Sequence, residues 1–273
     1  MIRQVRPQPN YFSYKVFFYV FLLQEGDAIK MKFFAIGDLH LSFRKRVDPA
    51  AWGSVEVYKP MDIFGDGWRE HYRKIYENWL NTVKKGDIVL MPGDISWALK
   101  LAEARFDLEF LGLLPGAVIC VAGNHDYWWQ SLTQVRAVLP GNMAVIQNDH
   151  VLAGDIAICG SRGWWCPGSQ CFTSDDMKIY RRELIRMDNS LGTVDLKKVR
   201  DIIVLIHFMP TAESHEKNEF IEMFQKYGVS TVIYSHLHGG AARLRLPENA
   251  WGIDFHLVSA DFLDFTPLLI KEF

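Results

Sequence analysis

Five short runs of aliphatic and β-branched residues, none alternating with polar ones, each break into a cluster of Asp, Asn or His. Residues 33–36 run into Gly37-Asp38-Leu39-His40, and 87–91 into Pro92-Gly93-Asp94. Residues 117–121 run into Ala122-Gly123-Asn124-His125-Asp126, 202–206 into His207, and 230–234 into Ser235-His236-Leu237-His238. Apolar runs of this length without alternation are the pattern of strands buried on both faces. Between them, amphipathic spacing predicts helices over about 68–84, 97–112, 130–139, 175–189 and 214–227. Strands alternating with helices imply a layered α/β fold. The segments 143–160 and 241–270 carry strand patterns with no intervening helix, so antiparallel strands are expected to complete the sheets. There is no internal repeat, linker or low-complexity tract, and residues 31–273 read as one domain.

Composition narrows the classes further. A chain of 273 residues with 49% hydrophobic and 23% charged residues is neither disordered nor fibrous, and it can bury a core without staples. Thirty basic against 32 acidic residues give a net charge of −2, so no basic excess draws it to nucleic acid or to an anionic membrane. Cys120, Cys159, Cys166 and Cys171 include no C-x-x-C pair, which fits reduced thiols in a cytoplasmic protein.

Residues 1–30 differ from the rest. The stretch 11–23 (YFSYKVFFYVFLL) is apolar but interrupted by Ser13 and Lys15, and it is shorter than the roughly 18–20 residues that span a bilayer. A charged start followed by an apolar run also resembles a signal peptide, but no small-x-small cleavage site follows. Met31 opens MKFFAIGD directly before the first strand. Residues 1–30 are therefore expected to be an N-terminal extension without a catalytic role, with a membrane-associated anchor or a packed arm as the other readings.

The polar clusters share one position, the carboxyl end of a strand, where loops of α/β sheets converge on a ligand crevice. Asp38, His40, Asp94, Asn124, His125, His207, His236 and His238 all arrive there, and no structural rule calls for His at so many strand ends. Imidazole, carboxylate and amide oxygen are ligands for Zn, Mn or Fe. In D-x-H both side chains leave an extended chain on the same side and can reach one ion; H-x-H does likewise or straddles two. Seven ligands exceed one tetrahedral site and suit two ions sharing a carboxylate, the arrangement that clamps a phosphoryl displacement. Two divalent ions against two carboxylates and a bridging hydroxide leave a positive centre that attracts a phosphate ester without an arginine cluster.

In this order the blocks D-x-H, G-D, G-N-H-D, a later strand-end His and H-x-H resemble the calcineurin-like metallophosphoesterases, over about residues 33–239. The resemblance implies a four-layer α/β/β/α sandwich of two mixed sheets flanked by helices. It implies one metal (Mn, Fe or Zn) on Asp38, His40, Asp94 and His238, and a second on Asp94, Asn124, His207 and His236. It makes His125 the acid that protonates the leaving group, oriented by Asp126. The activity implied is hydrolysis of a phosphomonoester or phosphodiester, with a phosphorylated small molecule or nucleotide as substrate. A non-catalytic binding scaffold of the same fold, and a mononuclear zinc hydrolase, are the competing readings.

Some residues depart from that pattern. Ser235 stands where the family often has Gly. Gly93-Asp94 is followed by Ile95-Ser96-Trp97 rather than V-D-R-G, which counts against the protein Ser/Thr phosphatase branch. The segment Gly160-Ser161-Arg162-Gly163-Trp164-Trp165 reads either as a loop that grips a phosphate with Arg162 and stacks a ring on tryptophan, or as an aromatic structural loop. Tyr127, Trp128 and Trp129 either wall the pocket or pack beneath it. Arg181-Arg182-Glu183 reads as a solvated helix face. His71, His150, His215 and His256 belong to no ligand block.

Overall fold

A computed structural model describes residues 31–273; the expected N-terminal extension lies outside the described residues. In chain order the elements are β1 (Lys32–Ala35), α1 (His71–Thr82), β2 (Ile88–Met91), α2 (Leu101–Leu111), β3 (Ala117–Cys120), α3 (Leu132–Val138), β4 (Met143–Val145), β5 (His150–Ala153), β6 (Ile156–Ser161), α4 (Asp176–Gly192), β7 (Asp201–Ile206), α5 (Glu219–Tyr227), β8 (Thr231–Tyr234), β9 (Asn249–Ala250), β10 (Ile253–Leu257) and β11 (Leu268–Glu272). Every expected helix is present. Helix α5 begins at Glu219 rather than near 214 because the Asn218 side chain accepts from the Phe220 and Ile221 amides, satisfying donors that a helix start leaves open. It ends at Gly228, whose φ of 72° is the left-handed stop that glycine adopts freely.

Two sheets form, ordered β11-β1-β2-β3-β4 and β5-β6-β7-β8-β10-β9. The two segments expected to add only antiparallel strands do not do so uniformly. In the first, β4 runs parallel to β3 because α3 carries the chain back between them, and β6 runs parallel to β7 while β5 is antiparallel to β6. In the second, β10 is parallel to β8, after a 3-10 turn at Gly239–Leu244 reverses the chain; β9 and β11 are antiparallel to their neighbours.

Alternation along each strand builds the layers. Phe33, Ile88, Leu90, Ile119 and Val121 of the first sheet pack against Ile156, Ile158, Ile203, Leu205 and Ile233 of the second. The intervening residues Phe34, Val89, Met91 and Val118 face α1, α2 and α3 through Ile75, Trp79, Leu108 and Val135. Ala157, Val204, Val232 and Tyr234 face α4 and α5 through Tyr180, Met187, Phe220 and Phe224. Strands buried on both sides explain why their sequences do not alternate in polarity. The result is the α/β/β/α sandwich the sequence implied. No helix among the described residues is long and apolar enough to cross a membrane.

At one edge the sheets are joined beyond their strands. The Gly37 amide donates to Val258 O at 2.7 Å and Ala260 N donates to Gly37 O at 3.0 Å, tying the end of β1 to the end of β10 across the sandwich. The carboxyl ends of β1, β2, β3, β7 and β8 meet at this seam.

Candidate metal centre

The loops that leave these strands adopt backbone conformations that side-chain-bearing residues rarely visit. Asp38, His40, Asp94 and His236 have φ of 56°, 48°, 51° and 74°, each costing of order 1–3 kcal/mol unless the surroundings impose it. Here they do: Asp38 N donates to Gly93 O, and His40 N donates to Asp94 O, both at 3.0 Å, continuing the ladder past the strand ends. Two glycines let the loops come this close. A Cβ on Gly123 would lie 2.0 Å from Asp94 Oδ1 and 2.3 Å from Asp94 N, and one on Gly93 would lie 2.5 Å from Gly123 N.

The seven expected ligands converge in two groups. His40 Nε2 and His238 Nε2 are 3.3 Å apart, with His238 Nε2 3.5 Å from Asp38 Oδ2 and His40 Nε2 3.9 Å from Asp94 Oδ2. In the second group His207 Nε2 lies 2.7 Å from Asn124 Oδ1, 3.2 Å from His236 Nδ1 and 3.5 Å from Asp94 Oδ2. Asp94 Oδ2 is thus common to both, while its Oδ1 accepts from His125 N at 2.8 Å. Donor atoms of Asp38, His40 and His238, and of Asp38, Asp94 and His207, all lie within 4.8 Å of one another. Asp38 enters the latter group because its Oδ1 is 3.7 Å from His207 Nδ1. That nitrogen faces Pro92 O at 3.0 Å, so the ring's proton sits on Nδ1 and its lone pair on Nε2.

The donor set fits metal ions. With Nδ1 of His207 committed to Pro92 O, Nε2 and Asn124 Oδ1 are two acceptors facing one another at 2.7 Å, an arrangement that a shared cation relieves. His238 Nδ1 is likewise committed, to Asp261 Oδ1 at 2.8 Å, which turns its Nε2 toward His40 and Asp38. This carboxylate–imidazole pairing is how metal-binding histidines are oriented. Burial pushes the pKa values of His40 and His236 well below the ordinary value and that of His207 down to about 4, keeping these rings neutral as ligands must be. Only His238 moves up, because Asp38 and Asp261 outweigh its burial. Burial, then the nearby Asp126 and Asp38 charges, drive Asp94 well above the usual carboxylate range.

His125 is partly buried at the rim and packs at a tilt of 46° against Trp97, ring centroids 4.3 Å apart, while Trp97 stacks on His40 at 4.7 Å. Burial and then the Lys59 charge lower the His125 pKa; Lys59 Nζ itself sits 2.9 Å from the Trp97 ring centroid. The expected contact between His125 and Asp126 is not made. Asp126 Oδ1 accepts from Ile95 N, Ser96 N and Trp128 Nε1, and Oδ2 from Gly123 N, at 2.8–3.1 Å. His125 Nδ1 is buried with no hydrogen-bond partner. Asp126 therefore ties the Asp94 loop to the Asn124 loop rather than orienting the His125 ring, because four N–H donors already surround its carboxylate.

Ser235, which replaces glycine, is used: its Oγ donates to Asp38 Oδ1 at 3.1 Å. Of the aromatic trio, Trp128 is fully buried beneath the loop and Tyr127 is exposed. Trp165 packs edge-on against His236 at 4.8 Å, so part of its loop is structural. Arg162 lies with its Cζ 4.6 Å from the Trp164 ring centroid. His71 is buried and bonds Leu39 O at 3.0 Å, a structural role. Sequence reasoning missed Asp261, Trp97 and Lys59. The signal that marked the other strand ends does not mark Asp261, since residues 253–258 (IDFHLV) alternate apolar with polar side chains before Ser259-Ala260-Asp261.

A family profile described as calcineurin-like phosphoesterase matches residues 31–240. The chain belongs to that family, which supports metal-dependent phosphoester hydrolysis in general terms. No curated protein matches it. Similar solved structures include a protein of unknown function from Aquifex aeolicus, at 14% identity and a TM-score of 0.42 over 88% of this chain and 95% of that one. A phosphopantetheinyl hydrolase from Mycobacterium tuberculosis is similar at 14% identity and a TM-score of 0.47, over 88% and 96%. The protein TT1561 from Thermus thermophilus is similar at 13% identity and a TM-score of 0.43, over 76% and 81%.

Proposed function

We propose that residues 31–273 act as one catalytic unit that hydrolyses a phosphomonoester or phosphodiester of a small molecule or nucleotide at a two-metal centre. Asp38, His40, Asp94 and His238 hold one ion and Asp94, Asn124, His207 and His236 the other, each Mn, Fe or Zn. The observation that carries this reading is Asp94 Oδ2, which lies 3.9 Å from His40 Nε2 and 3.5 Å from His207 Nε2 and so serves both groups. Such ions supply Lewis acidity and charge neutralisation at a phosphoryl group.

The remaining chemistry belongs to the chain. His125 is the one imidazole of the edge outside both ligand groups, and it donates a proton to the leaving oxygen. Its pKa, lowered by burial and Lys59, moves back up when an anionic ester arrives beside it. Trp97, packed against the His125 ring at 4.3 Å, helps to hold it in place of Asp126. Asp261 holds His238 through Nδ1, and Pro92 O holds His207. Four unpaired cysteines, three of them buried, support a cytoplasmic location.

The test is hydrolysis of bis(p-nitrophenyl) phosphate by the metal-stripped full chain, before and after Mn²⁺. The expected result is turnover that depends on the metal, with His125→Ala keeping its metal and losing most turnover of poor leaving groups. Turnover indifferent to chelation overturns the metal mechanism, and metal bound without turnover of any ester leaves the binding-scaffold reading.

A further inference from the structure

Beside the second ligand group a cavity of ≈510 Å³ runs between the β3 and β6 loops and helix α4. It shares a wall with the metal centre: Asn124 lines it, and the backbone oxygen of Arg162 accepts from His207 N at 3.0 Å. Its charged lining consists of Arg162, Arg182, Arg186, Glu183 and Asp126, and the Asp126 carboxylate is already taken up by four N–H donors. The expectation of a solvated face at 181–183 holds for Arg181 and Arg182, which are exposed, and fails at Glu183, whose side chain is 0% exposed.

The charges in this cavity do not balance. Glu183 Oε1 accepts from Arg186 at 2.7 Å and only weakly from Arg162 at 3.4 Å. Two guanidinium groups thus share one oxygen of Glu183, whose Oε2 is buried without a partner. Arg162 is mostly buried, with its Nε atom unpartnered, and Arg182 forms no salt bridge among the described residues. A purely structural bridge would leave no buried donor unused, and the orphaned Arg162 Nε is costly where it stands. Burial lowers the Arg162 pKa against the pull of Glu183, and Arg186 and Arg182 act in the same direction as burial. The Arg162 guanidinium is also held in orientation, lying on Trp164, whose Nε1 donates to Asp176 Oδ1 at 2.7 Å. A fixed, desolvated fork with spare donors is the form in which arginine recognises phosphate.

We propose that this cavity is an anion subsite that binds a second phosphoryl group of the substrate, away from the scissile one, through Arg162, Arg182 and Arg186. Three guanidinium groups against the Glu183 and Asp126 carboxylates leave the lining net positive, and the planar guanidinium fork suits the oxygens of a terminal phosphate. The substrate class is therefore a bisphosphorylated molecule: one phosphoester lies on the metal side of Asn124 and a terminal phosphate lies under α4. Glu183 acts as a positioning residue that holds Arg162 and Arg186 at the cavity wall. This inference rests on the reading of the centre as a phosphoesterase.

The test uses α,ω-alkanediol bisphosphates of increasing chain length, each against its alkyl monophosphate, with the Mn²⁺-loaded full chain. Arg182 is exposed, so Arg182→Ala and Arg182→Glu leave the core intact. The expected result is a KM at least about tenfold lower for the best-fitting bisphosphate than for its monophosphate, equivalent to about 1.4 kcal/mol. Arg182→Ala should shrink that ratio and Arg182→Glu should abolish it. A wild-type ratio within about twofold at every length, or a ratio that Arg182→Glu leaves unaltered, overturns the proposal. Calorimetric titration of the same bisphosphates into the full chain separates the two readings. If no ester is hydrolysed, binding that is weakened about tenfold by Arg182→Glu upholds the subsite, and binding insensitive to that change removes it.

Discussion

Replacing Asp126 with Asn distinguishes a loop anchor from a partner of the catalytic imidazole. Its carboxylate receives three N–H donors on Oδ1 and one, from Gly123, on Oδ2. Burial raises its pKa and those donors oppose the rise, the Gly123 amide foremost. In Asp126→Asn the amide oxygen keeps the three-donor side, and the NH₂ group must face Gly123 N–H, donor against donor. A charge-assisted hydrogen bond is lost, about 1.5–3 kcal/mol, and a buried donor is left without an acceptor. Relief from burying a charge offsets part of this, so a net loss of about 2 kcal/mol follows. At roughly 2–4 °C per kcal/mol for a domain of this size, Tm falls by about 4–8 °C. Gly123 rests against Asp94, so metal affinity should fall with it. Thermal unfolding by circular dichroism, with metal content measured on the same samples, makes the comparison. A Tm within about 1 °C of wild type and full metal content, with turnover of poor leaving groups reduced, refutes the reasoning and returns Asp126 to His125.

Two further outcomes follow from the same geometry. Gly123→Ala places a Cβ 2.0 Å from Asp94 Oδ1, so the shared carboxylate must move; the expected result is loss of at least one metal and about a 100-fold fall in turnover, and a variant with both metals and normal kcat would show that the loop yields freely. Asp107 is buried, accepts from Phe43 N at 2.8 Å and from Ser96 Oγ, and its pKa is pushed up to about 7, chiefly by burial. The folded state thus keeps a proton that the unfolded chain releases near about 3.9. Stability from this group is complete below about pH 4 and is lost as pH rises to about 7, on the order of 2–4 kcal/mol in all. Asp107→Asn should remove that slope, so the difference in urea midpoint between variant and wild type grows from about pH 5 to about pH 8; parallel curves would exclude it.

The centre was legible because its geometry is local to strand ends. A strand buried on both faces must be apolar throughout, so the first polar residues after Ala35, Met91 and Ile206 mark where the chain reaches the crevice. Asp38, His40, Asp94 and His207 could be read in this way without knowing which strands were neighbours. Strand direction was less legible, because α3 is short and the Gly239–Leu244 turn has no strong helical period. Trp97 and Lys59 carry no signal, since their place over His125 depends on how the loop after β2 packs. Arg181, Arg182 and Glu183 read as surface because clustered charges on a helix usually are, and the two arginines are exposed; only the approach of the β6 loop to α4 buries Glu183.

The pairing of β1 with β11 has a consequence for how the protein comes into being. Strand β1 carries Asp38 and His40 at its end, yet one of its two neighbours, β11, is supplied by the far end of the described chain. A chain emerging from the ribosome therefore exposes one edge of β1 through most of translation, an open template for unwanted pairing. The residues at the start of β1 help to manage the wait: Lys32 is charged, and the register of β1 with β11 is broken by a bulge between Phe33 and Phe34. The strand that carries Asp38 and His40 is made early, yet it gains its second neighbour only once Leu268–Glu272 has been made and docked.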